Sequence, residues 1–209
     1  MDRQERVRAT VIGHSYVARL HQGFENGTFV PRGPESLSYN FVGIGGAKVY
    51  PTGCNKSIFR VIEQVKSRGP NVIFLHCGEN GIGSEGVSPQ LIATQLIRLM
   101  EELARQCRPQ VLIVSQLTKF PAHSRYGDVA ESVTGQLVQY AKNRRRHIGN
   151  TRLKVWKHTI GINGVERGKY FDRDDIHLNR EAMRKYYHSV TAAVGRYARV
   201  VIEERKFNH

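Results

Sequence analysis

Five short apolar segments, Val7 to Ile12, Leu37 to Val42, Val72 to Cys77, Val111 to Ser115 and Leu153 to Trp156, alternate with stretches of helical periodicity. Most of these segments are continuous rather than strictly alternating, which is the pattern of strands covered on both faces. Ile58, Val61, Ile62 and Val65 share one helical face, and Gly69-Pro70 ends that helix. Ser88 and Pro89 form an N-cap and first-turn pair, followed by Ile92, Leu96, Leu99 and Leu103 on one face until Cys107-Arg108-Pro109. A third helix is predicted from about Asp128 to Arg146 with Val133, Leu137 and Tyr140 inward. A last one is predicted from about Asn179, through Met183, Tyr187, Val190, Val194, Tyr197 and Val201. This β-α alternation specifies helices packed on both faces of a parallel sheet. At 209 residues the chain suits a single domain spanning 1–209. The predicted loops are Gly23 to Glu35, Lys119 to Gly127 and Thr159 to Arg173.

In open parallel sheets, chemistry gathers at the carboxyl ends of the strands. Four short pieces fall there or reach it: Gly13-His14-Ser15-Tyr16, Gly43-Ile44-Gly45-Gly46, Gly78-Glu79-Asn80-Gly81 and Asp174-Asp175-Ile176-His177. Together they hold the parts of a serine hydrolase. Ser15 supplies a nucleophile, His177 a base, and Asp174, three residues before it, a carboxylate to fix the imidazole tautomer, with Asp175 as the competing partner. The Ser15 and Gly46 amides with the Asn80 side chain supply donors for an oxyanion. Each piece also has a plainer reading: Ser15 as an N-cap of a helix starting at Tyr16, Gly46 and Asn80 as turn formers, His177 as a packing residue at the start of the last helix. The string G-H-S-Y-V lacks the second glycine of a G-x-S-x-G elbow. The segment Gly43 to Lys48 matches neither a phosphate-binding P-loop nor a dinucleotide fingerprint.

Lys and Arg number 32 against 18 Asp and Glu, a formal charge of +14. Such a field favours polyanionic partners. The densest cluster, Lys142, Arg144, Arg145 and Arg146, is the candidate site for RNA, DNA or an anionic surface. Arg3, Arg6 and Arg8 mark the start of the sequence, and Arg196, Arg199, Arg205 and Lys206 its end. Cys54, Cys77 and Cys107 show no C-x-x-C spacing, which argues against a disulfide framework and a structural zinc site. No apolar run approaches the length of a membrane helix and the first residues lack a signal-peptide core, so a cytoplasmic or nuclear protein is expected.

The four pieces resemble the sequence blocks of the SGNH, or GDSL-type, hydrolase superfamily. That resemblance implies a flavodoxin-like three-layer α/β/α sandwich with a five-stranded parallel sheet. It implies Ser15 as nucleophile, Ser15, Gly46 and Asn80 as the oxyanion hole, and Asp174 with His177 completing the triad. It also implies hydrolysis of a small acyl ester, acetyl-like, with no metal and no organic cofactor. His14 stands where the family usually has Asp, and Gly81 where an Asp often follows the Asn. Each departure implies loss of a positioning hydrogen bond and a reduced rate. The G-H-S block with high basic charge also resembles SGNH domains of some eukaryotic retroelement proteins. Two other functions fit the same scaffold: a basic nucleic-acid-binding accessory domain with weak or lost catalysis, and acyl transfer to a sugar instead of water. Oligomeric state is open.

Overall fold

The computed structural model describes residues 6–30, 32–49, 55–119, 126–158, 169–174 and 176–207. Arg3, Cys54, Asp175 and parts of two predicted loops, 120–125 and 159–168, lie outside the described residues. The order is β1 (Val7–Gly13), α1 (Ser15–Glu25), β2 (Leu37–Gly43), a 3₁₀ turn (Ile58–Val61) leading into α2 (Ile62–Ser67), and β3 (Val72–His76). A second 3₁₀ turn (Glu79–Gly81), α3 (Pro89–Cys107), β4 (Val111–Ser115), α4 (Tyr126–Asn143), β5 (His147–Ile148), β6 (Thr151–Trp156) and α5 (Arg180–Phe207) follow.

The sheet runs β2-β1-β3-β4-β6-β5. Its first five strands in space are parallel, in the flavodoxin-like order, and β5 adds two antiparallel residues at the edge of β6. The continuous apolar strands are explained by burial on both sides. Ile73, Leu75, Leu112 and Val114 join the core beneath α2, α3 and α4. Val72, Phe74, Val111 and Ile113 face the opposite core under α1 and α5. The sandwich is thus three-layered as expected, with six strands instead of five. Nothing in a two-residue strand has a period to read. It forms because the chain reverses after α4 with Arg145 and Arg146 both at left-handed φ and the Arg146 amide on the Ala141 carbonyl, at 2.7 Å.

Other boundaries moved for local reasons. α1 extends through Gly23, which sequence reasoning placed in a loop, because the helix packs there against Phe29. A Cβ at Gly23 would meet that ring at 2.2 Å. α4 starts at Tyr126 and stops at Asn143, short of Arg146. α3 has the predicted cap, with Ser88 Oγ accepting from the Leu91 amide at 3.1 Å. Gly13 and Gly43 lie side by side in register at the carboxyl ends of β1 and β2. A Cβ on Gly13 would meet the His76 carbonyl oxygen, and one on Gly43 the Ala18 amide nitrogen, both at 2.2 Å. Glycine at both positions lets the start of α1 press onto the rim.

Candidate active site

α1 begins at Ser15, and the residue that caps it is His14. The His14 Nδ1 accepts from the Tyr16 amide at 3.5 Å and lies 3.4 Å from Ser15 Oγ. The N-cap role expected of Ser15 therefore belongs to its neighbour, and the serine hydroxyl is spared for other work. Ser15 is half-buried, as are Gly46, Asn80 and His177.

The second and third pieces meet directly. Gly46 occupies the third position of a turn closed by the Ala47 amide on the Ile44 carbonyl, at 3.0 Å, with φ of 71°, the left-handed region that glycine adopts freely. The Asn80 side-chain amide donates to the Ala47 carbonyl at 2.9 Å, which sets it against that turn. One amide proton is used in this contact and the second is left for a ligand.

The last piece sits at the tip of a small hairpin. Phe171 bridges Leu178, and the Asp172 amide donates to the His177 carbonyl at 2.7 Å. At the tip, Asp174 Oδ1 accepts from the Ile176 and His177 amides at 3.0 and 2.8 Å, while Oδ2 lies 2.5 Å from His177 Nδ1. One carboxylate thus builds the turn and orients the imidazole. The backbone hydrogen bond from His177 and the imidazole beside it hold Asp174 far below the usual carboxylate range. With Nδ1 engaged, Nε2 is the nitrogen that can accept a proton.

Two side chains one helical turn apart tie this hairpin to α1, the helix that begins at Ser15. The Tyr16 hydroxyl donates to the Ile176 carbonyl at 2.7 Å. Arg19 donates to the Leu178 carbonyl at 3.2 Å and pairs with Asp172 at 3.4 Å. The residue after the serine therefore holds the residue before the histidine.

Beneath the rim lies a buried polar network that sequence reasoning missed. Glu79 and His76 are fully buried and His14 is 1% exposed. Glu79 Oε1 accepts from His76 Nε2 at 2.7 Å and from the Thr118 amide at 2.9 Å. His76 Nδ1 accepts a hydrogen bond from the Tyr186 hydroxyl at 2.6 Å, and the Tyr126 hydroxyl donates to the Glu79 carbonyl. Glu79 Oε2 stands 3.1 Å from His14 Nε2, an ion-pair separation whose angle falls short of a hydrogen bond. Burial alone would raise the Glu79 carboxyl, but His76 and His14 outweigh it and hold it well below its ordinary value. Burial pushes His76 down against the pull of Glu79. The departure at His14 does not leave a gap: its ring touches the serine on one side and a carboxylate on the other. The signal available in the sequence was Glu79 itself, a charge inside a glycine-flanked turn next to the Asn.

A second buried cluster lies alongside. His158 Nε2 is 2.8 Å from Ser115 Oγ and Nδ1 is 2.7 Å from Ser189 Oγ, which also accepts from Trp156 Nε1 at 3.0 Å. Burial, with the charge of His76 adding to it, pushes this imidazole down to about 3, so it is a neutral structural ring.

His14, His76 and Glu79 are the one trio of metal-ligating side chains found among the described residues, with their ligand atoms within 4.8 Å of one another. The 2.7 Å contact of His76 with Glu79 is a hydrogen bond. Ligands around a zinc ion, with bonds of ~2.0–2.1 Å, stand about 3.3 Å apart. As arranged, His76 and Glu79 share a proton and His14 stands beside the second carboxylate oxygen. Cys77 is buried and donates to the Ala47 carbonyl at 3.7 Å, and Cys107 is half-buried. A groove of about 480 Å³ on the outer face of α2 and α3, lined in part by Phe59, Arg98 and Arg105, involves none of the four pieces.

The basic cluster is not part of this rim. Lys142, Arg144, Arg145 and Arg146 are exposed where α4 returns to the amino ends of the strands, next to the start of β6. Arg144 pairs with Glu101 at 3.3 Å and covers the Tyr140 ring.

No protein-family model matches the chain, and no curated protein sequence matches it. Its fold matches solved esterases and acylhydrolases. A serine mutant of an acetyl esterase with acetate ion superposes with a TM-score of 0.66 at 12% identity, covering 93% of this chain and 99% of that one. An acetyl-xylooligosaccharide esterase from a Geobacillus gives 0.63 at 14% identity, covering 90% and 94%. A GDSL-like lipase from Bacteroides thetaiotaomicron gives 0.61 at 14% identity, covering 94% and 91%. The chain thus has the flavodoxin-like α/β/α fold of SGNH-type hydrolases, in agreement with the resemblance of its four blocks. At these identities the likeness is one of fold.

Proposed function

We infer that this protein is a serine ester hydrolase acting on a small acyl ester, acetyl-like. Ser15 attacks the carbonyl carbon and its proton passes to His177 Nε2, while Asp174 stabilises the imidazolium that forms. The Ser15 and Gly46 amides and the second proton of the Asn80 amide take the negative charge of the tetrahedral oxygen. His177 returns the proton to the leaving oxygen, and water then releases the acid by the same route. The observation that carries this reading is the pair of contacts at the last block: Asp174 oriented on His177 at 2.5 Å, and Tyr16, adjacent to Ser15, bonded to the carbonyl before His177. The acetyl esterases among the fold neighbours support a short acyl group.

A fluorophosphonate probe and p-nitrophenyl acetate test the reading on the whole chain. Wild type should label and turn over, Ser15→Ala should do neither, and His177→Ala should lose turnover. A folded wild type that neither labels nor hydrolyses would overturn it.

A second reading, recruitment to a polyanion such as RNA, DNA or an anionic surface, is supported by crowding of positive charge beyond the densest cluster. Lys154 on β6 is pushed down by burial and by Arg146, Arg152 and Arg196 around it, and Lys154 and Arg196 both lie over the Tyr197 ring.

A further inference from the structure

The geometry points to a second base for Ser15: His14, backed by the buried carboxylate of Glu79, takes the serine proton during acylation by esters whose leaving group is stable as an anion, beside the route through His177 that serves alkyl esters and deacylation. This rests on the reading of Ser15 as the nucleophile. A neutral imidazole has one nitrogen that donates and one that accepts. Nδ1 of His14 accepts from the Tyr16 amide, so it carries a lone pair, and Ser15 Oγ lies 3.4 Å from that same nitrogen. The ring proton is then on Nε2, beside Glu79 Oε2 at 3.1 Å, and among the described residues neither atom has a hydrogen-bond partner elsewhere. Serine, imidazole and carboxylate thus stand in the sequence of contacts of a triad, assembled from the first and third blocks without the last. An imidazolium formed at a site this buried requires a fixed counter-charge. Glu79 is held for that purpose from its other oxygen by His76 and the Thr118 amide.

Burial limits what His14 can do. At 1% exposure it has no route to protonate a departing alkoxide or to take a proton from attacking water. The step it supports is narrow: the Ser15 proton moves to His14 Nδ1, the bond from Oγ to the acyl carbon forms, and the bond to a leaving group stable as an anion breaks. With p-nitrophenyl acetate the products are acetyl-Ser15, p-nitrophenolate and an imidazolium paired with Glu79. Alkyl esters and deacylation still require His177, which reaches solvent.

His177→Ala isolates this chemistry, because the residue lies on an exposed hairpin. With p-nitrophenyl acetate this variant should release a burst of p-nitrophenolate equal to the chain concentration, followed by almost no turnover. Mass spectrometry should find one acetyl group on the peptide containing Ser15. Adding His14→Asn, which keeps a capping acceptor but no base, should slow the burst about a hundredfold, the lower end of what a positioned base contributes. Adding Glu79→Gln instead should slow it in the same direction, and thermal unfolding of each double variant checks that the fold is retained. A wild type that hydrolyses through Ser15, together with a His177→Ala protein that shows no burst above Ser15→Ala, would overturn the role of His14 and leave the esterase standing. A burst that survives both His14→Asn and Glu79→Gln in folded protein would do the same. An inert wild type would remove both readings together.

Discussion

The residues of the candidate site and its surroundings divide into those that face solvent and those that work from below. His177 and Asp174 are on the open hairpin, whereas His158 is buried and held neutral down to about pH 3. The unfolded chain binds a proton on this imidazole below about pH 6.5, and the native state refuses it, so stability falls as the pH drops from about 6.5 towards 3. At ~1.4 kcal/mol per pH unit, the loss from this residue between about pH 6.5 and pH 5 is about 2 kcal/mol. Urea unfolding of wild type and His158→Asn at about pH 7 and pH 5 should therefore show the pH difference shrinking by about that amount in the variant. An equal difference in both proteins would mean that His158 is protonated in the fold. Ser15, Gly46 and Asn80 stand out as candidates in the sequence because each lies in a short run of small or polar residues after an apolar strand, and Asp174 with His177 because a carboxylate and an imidazole three residues apart precede the last helix. His76 does not. It ends a strand that reads as purely apolar, and its partner Tyr186 is 110 positions away, so no local pattern marks the pair.

At the scale of elements, α1 is the part that ties the site together. Its first residue is the candidate nucleophile, and Tyr16 and Arg19 grip the hairpin that carries His177. Tyr16→Phe keeps the ring in its cluster with His14, His76 and Tyr186 and removes the hydrogen bond to Ile176. The expected cost is about 1 kcal/mol in urea unfolding. It should also lower kcat about tenfold with little change in KM, since a displacement of ~1 Å between reacting groups can cost about a hundredfold. A stability loss with unchanged kcat would make Tyr16 a packing residue alone. The β-α order of these elements was readable because strands buried on both faces are written as unbroken apolar runs. The grip of α1 on the hairpin was not, because Tyr16 and Arg19 bond to backbone carbonyls, and any sequence offers those.

Across the whole molecule, the two features that stood out in composition and in motifs are at opposite ends of the sheet. The candidate hydrolase rim is at the carboxyl ends, and Lys142, Arg144, Arg145 and Arg146 are at the amino ends. If those side chains contact phosphates, replacing all four with Gln should weaken binding to single-stranded RNA. It should also flatten the log-log salt dependence by roughly 0.7 for each phosphate no longer neutralised, with hydrolysis of a small neutral ester as the control for folding. Unchanged affinity and slope would exclude that edge. Attachment through that cluster would leave the protein seated on its partner by one pole. The opposite pole would then open away from whatever holds it. An enzyme moored in this way cleaves esters that arrive by diffusion, and spares the surface to which it is fastened.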